Sequence, residues 1–214
     1  MLGALLRGIT KPFFRALAQP FIVLRINPFW ITWLGIPFAL AAAWGYANQN
    51  FSLALILLIL ATIWDGIDGA VARAQGKQSL WGNYFETMVD KLIEIILFLG
   101  LAFVYPIAAI AALGFGLWSS YAKPRVGLVI VTDNRDWPAV GEHADKFVLL
   151  FLGTLLTIFY PSFQGMDILE ITLWVIAIIS FIGTLQRMTY AKRLIASAEK
   201  EGNVLPYLKS GKER

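Results

Sequence analysis

The sequence feature that most constrains this chain is a group of four carboxylates set in strongly apolar sequence. Asp65 and Asp68 are three residues apart, and Glu86 and Asp90 are four residues apart. Residues at these spacings share one face of an α-helix. Because the stretches on either side are long and apolar, both pairs are predicted to lie on membrane helices. An ionisable side chain costs about 2.5–3.5 kcal/mol at the centre of such a helix and marks a functional site by default.

The spacing also predicts that the two pairs meet. A short segment, 74–81, joins the two helices and would make them antiparallel neighbours. Asp65 lies eight residues before Arg73, and Asp90 lies eight residues after Gly82. Each is therefore about 12 Å along its helix from the same end. The four carboxylates are expected in one layer between the two helices.

The chemistry of these side chains indicates a metal site. Like charges at short range disfavour the charged form of a carboxyl group, so four carboxylates stay ionised together only with cations between them. The chain has no cysteine and one histidine, and ligation by oxygen alone suits a hard cation such as Mg²⁺, Mn²⁺ or Ca²⁺. Two such ions would suit phosphoryl chemistry, in which paired metals hold the attacking and leaving oxygens. The alternative is a set of structural carboxyl groups that are protonated or hydrogen-bonded.

Composition predicts an all-α integral membrane protein. Of the 214 residues, 58% are hydrophobic and 15% are charged, and the mean hydropathy is +0.66. This composition is too apolar for an ordinary soluble domain. A six-helix transmembrane domain is predicted over 27–196, with helices at about 29–48, 52–74, 82–104, 106–122, 143–160 and 168–191.

The two ends of the chain are predicted to lie outside this bundle. Residues 1–26 are predicted to form an amphipathic helix on the membrane surface, interrupted at Pro12 and Pro20. The alternative is a helix that packs on the protein itself. Residues 197–214 are predicted to form a polar cytoplasmic tail.

The basic residues predict the orientation. Every lysine and arginine except Lys91 falls in the N-terminal segment, in 73–81, in 123–146 or after residue 186. By the positive-inside rule, both termini and the mouth of the carboxylate site face the cytoplasm. The protein is therefore expected in the cytoplasmic membrane, with a site that is open to water-soluble substrates.

The residues around the carboxylates resemble the signature of the CDP-alcohol phosphatidyltransferase family. The family pattern is Asp-x2-Asp-Gly-x2-Ala-Arg-x8-Gly-x3-Asp-x3-Asp, and residues 65–90 match it except that Glu86 replaces the third Asp. The added methylene moves the carboxylate oxygens by about 1–1.5 Å. An active enzyme is the favoured interpretation, and a catalytically silent homologue that binds lipid or nucleotide is the alternative.

Two other stretches resemble the same family. Residues 28–32 resemble a Pro-Asn-x-x-Thr stretch at the start of the family's first helix, with Phe29 in place of Asn. Residues 141–146 resemble a Gly-Glu-Arg-x-x-Arg stretch, with His143 and Lys146 in the two Arg positions. The resemblance spans nearly the whole chain and agrees with a six-helix layout.

The resemblance implies a reaction and a set of site residues. The hydroxyl of a soluble alcohol attacks the lipid-side phosphorus of CDP-diacylglycerol or an ether analogue, and CMP leaves. The implied ligands of two Mg²⁺ or Mn²⁺ ions are Asp65, Asp68, Glu86 and Asp90, with Asp90 also the general base. The implied CDP-lipid contacts are Pro28, Thr32, Asp68, Gly69, Ala72, Arg73, Ser79 and Gly82. Members of the family usually form homodimers, so a homodimer is expected.

The acceptor alcohol is less constrained by the sequence. Five basic residues are expected near its pocket on the cytoplasmic side: Lys123, Arg125, Arg135, Lys146 and Arg187. They favour a phosphorylated acceptor such as inositol phosphate or glycerol phosphate. Alternatively, they bind lipid head groups only, and serine, ethanolamine and free inositol stay open as acceptors.

Two other classes of membrane protein would also bury carboxylates. A cation-coupled transporter would continue polar residues to the far side of the bundle and use discontinuous or repeated helices. Beyond Asp90, Glu94 is the only charge in the far halves of the two predicted helices, which argues against a transport pathway. An intramembrane prenyltransferase would need two separate Asp-rich motifs and more helices. No nucleic-acid partner is expected.

Overall fold

The protein is an all-α molecule, as the sequence predicts. The structure, a computed structural model, describes residues 2–132, 137–138 and 140–205, with side chains from Pro12 onward. This part of the chain forms seven helices and one two-stranded antiparallel hairpin. The elements are α1 (Leu2–Val23), α2 (Pro28–Ala47), α3 (Phe51–Ala74), α4 (Leu80–Ala102), α5 (Pro106–Gly127), α6 (His143–Phe159), β1 (Ser162–Phe163), β2 (Met166–Asp167) and α7 (Ile168–Glu201).

Side-chain caps fix where two of the site-bearing helices begin. The side chain of Asn27 accepts a backbone hydrogen bond of 3.1 Å at the start of α2, where Pro28 occupies the first turn. Ser79 Oγ accepts a hydrogen bond of 2.9 Å from Gly82 N at the start of α4. Such caps satisfy amide groups that lack a partner inside the helix. The turn between α3 and α4 passes through Gly76 at a φ of +63°, a conformation that favours glycine.

Helix α2 lies between α3 and α4 and contacts both over most of its length. Direct contact between α3 and α4 is slight. The prediction that these helices are direct neighbours is therefore largely wrong, because α2 lies between them. The reason is visible at Gly35 of α2. A Cβ atom there would lie 2.8 Å from Ile93 Cδ1 of α4 and 3.4 Å from the Ala61 carbonyl of α3. A larger residue would push the three helices apart.

Among the described residues, three helices are long and apolar enough to cross a membrane by length and composition: α2, α3 and α7. Helix α4 carries Glu86, Asp90, Lys91 and Glu94, and α6 has 17 residues. The six predicted helical segments all occur, and their starts agree with the predicted ones to within two residues. Six membrane crossings stay a prediction.

Helix α1 packs on α3 of its own chain. Ala18 is fully buried there, with Phe14 and Phe21 beside it. The helix runs without a break through Pro12 and Pro20, so the predicted interruptions are wrong. Each proline removes one backbone hydrogen bond, and the contacts of the intervening apolar side chains on α3 hold the helix together. A position on the membrane surface stays a prediction.

The last helix continues past its predicted end at residue 191. It stops at Glu201, where Gly202 adopts a φ of +73°. The extension is stabilised because Ala191 and Ala198 are buried against Val126 at the end of α5. The predicted tail therefore begins inside α7, and its residues 206–214 lie outside the described residues.

Candidate active site

Four acidic side chains from α3 and α4 form one group, which we call the acid cluster: Asp65, Asp68, Glu86 and Asp90. Asp65, Asp68 and Glu86 each offer a carboxylate oxygen within 4.8 Å of the other two. The Asp90 carboxyl group lies close enough to Asp65 to interact with it. The predicted convergence of these residues is thus present in the structure, although α2 separates most of the two helices that bear them.

The start of α2 supports the cluster through Thr32. Asp68 is 2% exposed, and its two carboxylate oxygens accept hydrogen bonds from Thr32 Oγ1 and from the Gly69 amide. Thr32 is itself buried. Helix α2 therefore sets the orientation of a carboxylate that belongs to α3.

A cavity of about 610 Å³ opens beside the acid cluster, between the starts of α2 and α4 and the end of α3. All eight residues predicted to contact a CDP-lipid line it: Pro28, Thr32, Asp68, Gly69, Ala72, Arg73, Ser79 and Gly82. Their roles in binding stay predictions. The structure adds residues that the sequence did not point to, namely Asn27, Lys77, Gln78, Trp81, Asn83 and Phe85. Their position at the N-cap of α2, in the first two turns of α4 or in the segment between α3 and α4 is the signal that could have identified them.

Two glycines keep this cavity open. The nearest atoms to a Cβ atom at Gly69 would be those of the Arg73 guanidinium, at 3.2 Å or more, and a Cβ atom at Gly82 would meet only Ser79 Oγ, at 3.1 Å. Neither glycine therefore serves close packing between helices. A larger side chain at either position would instead fill space beside the acid cluster.

One wall of the cavity is aromatic. The rings of Phe29 and Phe85 stack with centroids 4.5 Å apart and an angle of 30° between their planes. Trp81 extends this wall, with its ring centroid 6.3 Å from that of Phe85. An aromatic wall opposite a charged floor suits a ligand with a flat ring at one end and phosphate groups at the other.

A second cavity reaches the acid cluster from another side. It measures about 350 Å³ and lies between α1, α3 and α6. Asp65 and His143 are its ionisable lining residues, and the rest of the lining is almost entirely apolar: Phe14, Leu58, Ile59, Thr62, Ala144, Phe147, Val148 and Phe151. Asp65 therefore stands where an apolar cavity meets the acidic site.

A separate set of buried charges lies one helical turn beyond Asp90, and we call it the Glu94 network. Its members are Glu94, Lys91, His143 and Lys146. Glu94 is 0% exposed and accepts hydrogen bonds from Lys146 Nζ and, at 2.7 Å, from Lys91 Nζ. His143 Nδ1 lies 3.3 Å from the same carboxylate. The sequence treated Glu94 as an isolated charge, and its spacing from Lys91 and Asp90 is the signal that could have shown otherwise.

Of the basic residues predicted at the acceptor pocket, Lys146 and Arg187 lie near one another against one turn of α5. Lys146 belongs to the Glu94 network. Arg187 donates hydrogen bonds to the Ser119 carbonyl and hydroxyl at 2.7 and 2.9 Å. Arg125 faces a groove between α5 and α7, Lys123 is half-buried on α5, and Arg135 lies outside the described residues.

The acid cluster fits a divalent cation. Its ligand atoms are all carboxylate oxygens, which hard cations such as Mg²⁺ and Mn²⁺ prefer. Three of the carboxylates lie close enough for shared coordination. The guanidinium of Arg73 lies near Glu86 and attracts its carboxylate electrostatically. One guanidinium leaves most of the cluster's negative charge for a ligand to balance.

Comparisons with known proteins agree with this geometry. The model of the CDP-alcohol phosphatidyltransferase family matches residues 25–183. The chain is 27% identical to the archaetidylinositol phosphate synthase of Pyrococcus horikoshii, over 79% of this chain and 86% of that protein. It is 26% identical to the phosphatidylinositol phosphate synthase of Streptomyces avermitilis, over 92% of this chain and 86% of that protein.

The fold also matches a solved structure. The crystal structure of the phosphatidylinositol phosphate synthase of Mycobacterium tuberculosis with CDP-DAG bound aligns with a TM-score of 0.69 and 21% sequence identity. The alignment covers 83% of this chain and 92% of that one. At this level of identity the likeness shows the fold.

Proposed function

The chain belongs to the CDP-alcohol phosphatidyltransferase family, and on that premise we propose that it moves a phosphatidyl-type group from a CDP-linked lipid to the hydroxyl of a soluble alcohol, with release of CMP. The protein is an enzyme of this class, as the sequence signature predicts. The observation that best supports the specific reaction is the acid cluster at the junction of a polar nucleotide-sized cavity and an apolar one.

We assign metal binding to the acid cluster. Enzymes of this family depend on divalent metal, and Asp65, Asp68 and Glu86 have the oxygen geometry to hold Mg²⁺ or Mn²⁺. Two ions, with Asp90 as an additional ligand, are proposed. When bound, such ions would neutralise the pyrophosphate and stabilise negative charge that develops in the transition state.

Asp90 is proposed as the general base. It would accept the proton of the alcohol hydroxyl while the alcohol oxygen bonds to the lipid-side phosphorus and the bond from that phosphorus to the CMP oxygen breaks. Asp90 lies on α4 one turn after Glu86, and its carboxyl group is close to that of Asp65. Of the two acidic residues on α4, Asp90 is therefore the one farther from the start of the helix. We propose that the acceptor alcohol approaches the cluster at this end.

The two cavities suit the two parts of a CDP-linked lipid. In the cavity of about 610 Å³, Arg73 and Lys77 offer charges for phosphate, and Phe29 and Phe85 offer an aromatic surface for the cytosine ring. The apolar cavity between α1, α3 and α6 suits the start of the lipid chains. Asp65 stands between them, where the reacting phosphorus would lie.

A phosphorylated polyol is the proposed acceptor. The named activities of the Pyrococcus and Streptomyces relatives favour inositol phosphate, and glycerol phosphate is the alternative. The proposed contacts are the cytoplasm-facing basic residues Lys123, Arg125, Arg135, Lys146 and Arg187. Because Lys146 and Arg187 already have internal partners, the described members most available to a ligand are Lys123 and Arg125.

We propose that the enzyme sits in the cytoplasmic membrane with the site facing the cytoplasm. Six helices, α2 to α7, would cross the bilayer, α1 would lie at its surface, and residues 197–214 would face the cytoplasm. The exposed apolar side chains of α1, Phe13, Leu17 and Val23, support contact with lipid. A homodimer is proposed from family membership alone.

The test is CMP release by the purified full-length protein in lipid nanodiscs containing CDP-diacylglycerol. Inositol phosphate, glycerol phosphate, inositol, serine and ethanolamine are supplied separately, each with Mg²⁺, Mn²⁺ or EDTA. We expect metal-dependent CMP release with inositol phosphate. Mn²⁺ binding without CMP release from any acceptor would contradict the proposal, favour a silent homologue and make Glu86→Asp the next variant.

A further inference from the structure

Glu94 has no role in the reaction described above, although it is fully buried one helical turn from the acid cluster. Three basic groups, on Lys91, Lys146 and His143, share one carboxylate. A single Glu balances one ammonium group, so the network holds more positive than negative charge. The acid cluster, one turn away, holds the opposite excess.

We propose that Glu94 is a positioning residue for Asp90, because it holds the Lys146 ammonium group away from the acid cluster. This inference rests on the proposed function only in that Asp90 must be free to bind metal and accept a proton. Glu94 touches neither substrate nor metal. Its effect is to keep a neighbouring cation from pairing with Asp90.

The geometry gives Lys146 few alternatives. It is 1% exposed, so its ammonium group does not reach water. A Cβ atom on Gly116 of α5 would lie 2.9 Å from Lys146 Nζ and 3.1 Å from Glu94 Oε1, so α5 closes the pair from the side opposite α4. A buried ammonium group that loses its carboxylate partner pays a large desolvation penalty and turns to another carboxylate within reach.

Asp90 is positioned to pair with the Lys146 ammonium group when Glu94 is removed. Asp90 and Glu94 are four residues apart on α4, on one face and about 6 Å apart along the axis. His143 of the network and Asp65 of the acid cluster also line the same cavity, so no helix separates the two sets. Lys91 differs from Lys146 because its side chain is 22% exposed and can extend to water.

The experiment measures Mn²⁺ affinity by the loss of the free Mn²⁺ electron paramagnetic resonance signal, with full-length protein in nanodiscs. The variants are Glu94→Gln, Lys146→Met, Lys91→Met and the double variant Glu94→Gln/Lys146→Met. We expect Glu94→Gln to raise the Mn²⁺ dissociation constant about tenfold, a coupling within the usual range for neighbouring charges. The double variant should return to within about threefold of wild type, because the displaced cation is gone.

The single-lysine variants are the matched controls. Measured without an acceptor, which Lys146 is proposed to contact, the Mn²⁺ affinities of Lys146→Met and Lys91→Met should each stay within about threefold of wild type, since neither change sets a buried cation free. Lys91→Met should restore little when combined with Glu94→Gln, because Lys91 can reach water by itself. Rescue specific to Lys146 would not arise if Glu94 only tied α4 to α6.

The proposal is overturned if the double variant binds Mn²⁺ as weakly as Glu94→Gln, or if Lys146→Met alone weakens binding about tenfold. If Glu94→Gln does not fold, the double variant decides the matter, and its failure to fold would also overturn the proposal, because Glu94 should be dispensable without Lys146. CMP release by wild type tests the proposed function separately. If wild type released no CMP, the proposed function would fail, but the comparison of Mn²⁺ affinity between the variants would still test the role of Glu94.

Discussion

The acid cluster and the Glu94 network lie one helical turn apart on α4, and they are organised in opposite ways. In the network, the Glu94 carboxylate has three basic partners from α4 and α6. In the cluster, Asp65, Asp68, Glu86 and Asp90 lie mainly against one another, with one nearby guanidinium. Both sets are in the same bundle, so burial alone does not explain the difference.

The difference shows which charges are neutralised by other residues of the chain and which need a bound ligand for their neutralisation. A buried ion pair that has lost one partner is strongly destabilising, so the Glu94 network is expected to be needed for stability. Four carboxylates at short range repel one another, so the acid cluster is expected to reduce stability until cations bind. Variants in the two sets should therefore have effects of opposite kinds.

The largest expected effect is on activity, from the acid cluster. Asp90→Asn keeps the shape of the side chain but removes the proposed base, and CMP release should fall about 10²–10⁴-fold. The free energy of unfolding should not decrease, because the change removes one of four like charges. Initial rates of CMP release and thermal unfolding of the same samples provide the two measurements.

Glu170→Gln is the matched control for Asp90→Asn, because Glu170 lies in the first turn of α7, next to the hairpin and on a different helix from the acid cluster. It should retain wild-type activity. An Asp90→Asn variant with more than about a tenth of the wild-type rate would exclude Asp90 as the base, since general-base catalysis contributes at least about 10²-fold.

The next effect is on stability, from the network. Glu94→Gln removes the carboxylate that Lys146 and Lys91 share and leaves Lys146 only the more distant Asp90, and the free energy of unfolding should fall by up to about 3–5 kcal/mol, the cost of a fully unpaired buried charge. Urea unfolding of protein in mild detergent, followed by tryptophan fluorescence, measures the change. A loss below about 1 kcal/mol, the value typical of exposed pairs, would mean that the network is hydrated and that the contrast with the acid cluster is weaker than the burial of Glu94 indicates.

The contrast was only partly predictable from sequence. The acid cluster follows from local spacing, since residues three and four apart share a helix face and a short turn brings α3 and α4 to one end. The Glu94 network depends on where α6 packs, and Lys146 is far from Glu94 along the chain. No local pattern encodes that contact.

Two other features were missed for the same kind of reason. The stacking of Phe29 on Phe85 depends on α2 lying between α3 and α4, which small residues such as Gly35 permit but do not specify. The continuity of α1 through Pro12 and Pro20 depends on its packing against α3. In both cases tertiary contacts decided what local propensity left open.

A third expected effect comes from metal binding to the acid cluster. Mn²⁺ or Mg²⁺ at about 100 times its dissociation constant should stabilise wild type by roughly 2.7 kcal/mol, provided that it binds only the folded state. In Asp68→Asn the stabilisation should be much smaller, because one of three converging carboxylates is lost. In Glu170→Gln it should be unchanged. Equal stabilisation of wild type and Asp68→Asn would place the metal elsewhere.

The smallest expected effect is at the opposite end of the bundle, where a polar contact is not part of either set of buried charges. Tyr105 donates a hydrogen bond of 2.8 Å to Asp167 Oδ2, and it is itself buried between α4 and α5. Burial and, after it, the hydrogen bond to Asp167 raise the pKa of Tyr105 above its usual value. The protonated phenol is therefore the form that the folded state favours.

Tyr105→Phe should lower the free energy of unfolding by about 0.5–1.5 kcal/mol, the usual net value of one hydrogen bond, and leave CMP release unchanged. Because the pKa of Tyr105 is raised on folding, its contribution is complete below the unfolded-state value of about 10 and declines above it. The difference between wild type and Tyr105→Phe should thus shrink in alkaline solution. Tyr160→Phe, at an exposed tyrosine, is the control and should change neither quantity. If Tyr105→Phe instead reduced CMP release, the two ends of the bundle would be coupled, and the acid cluster would depend on more than its own helical turns.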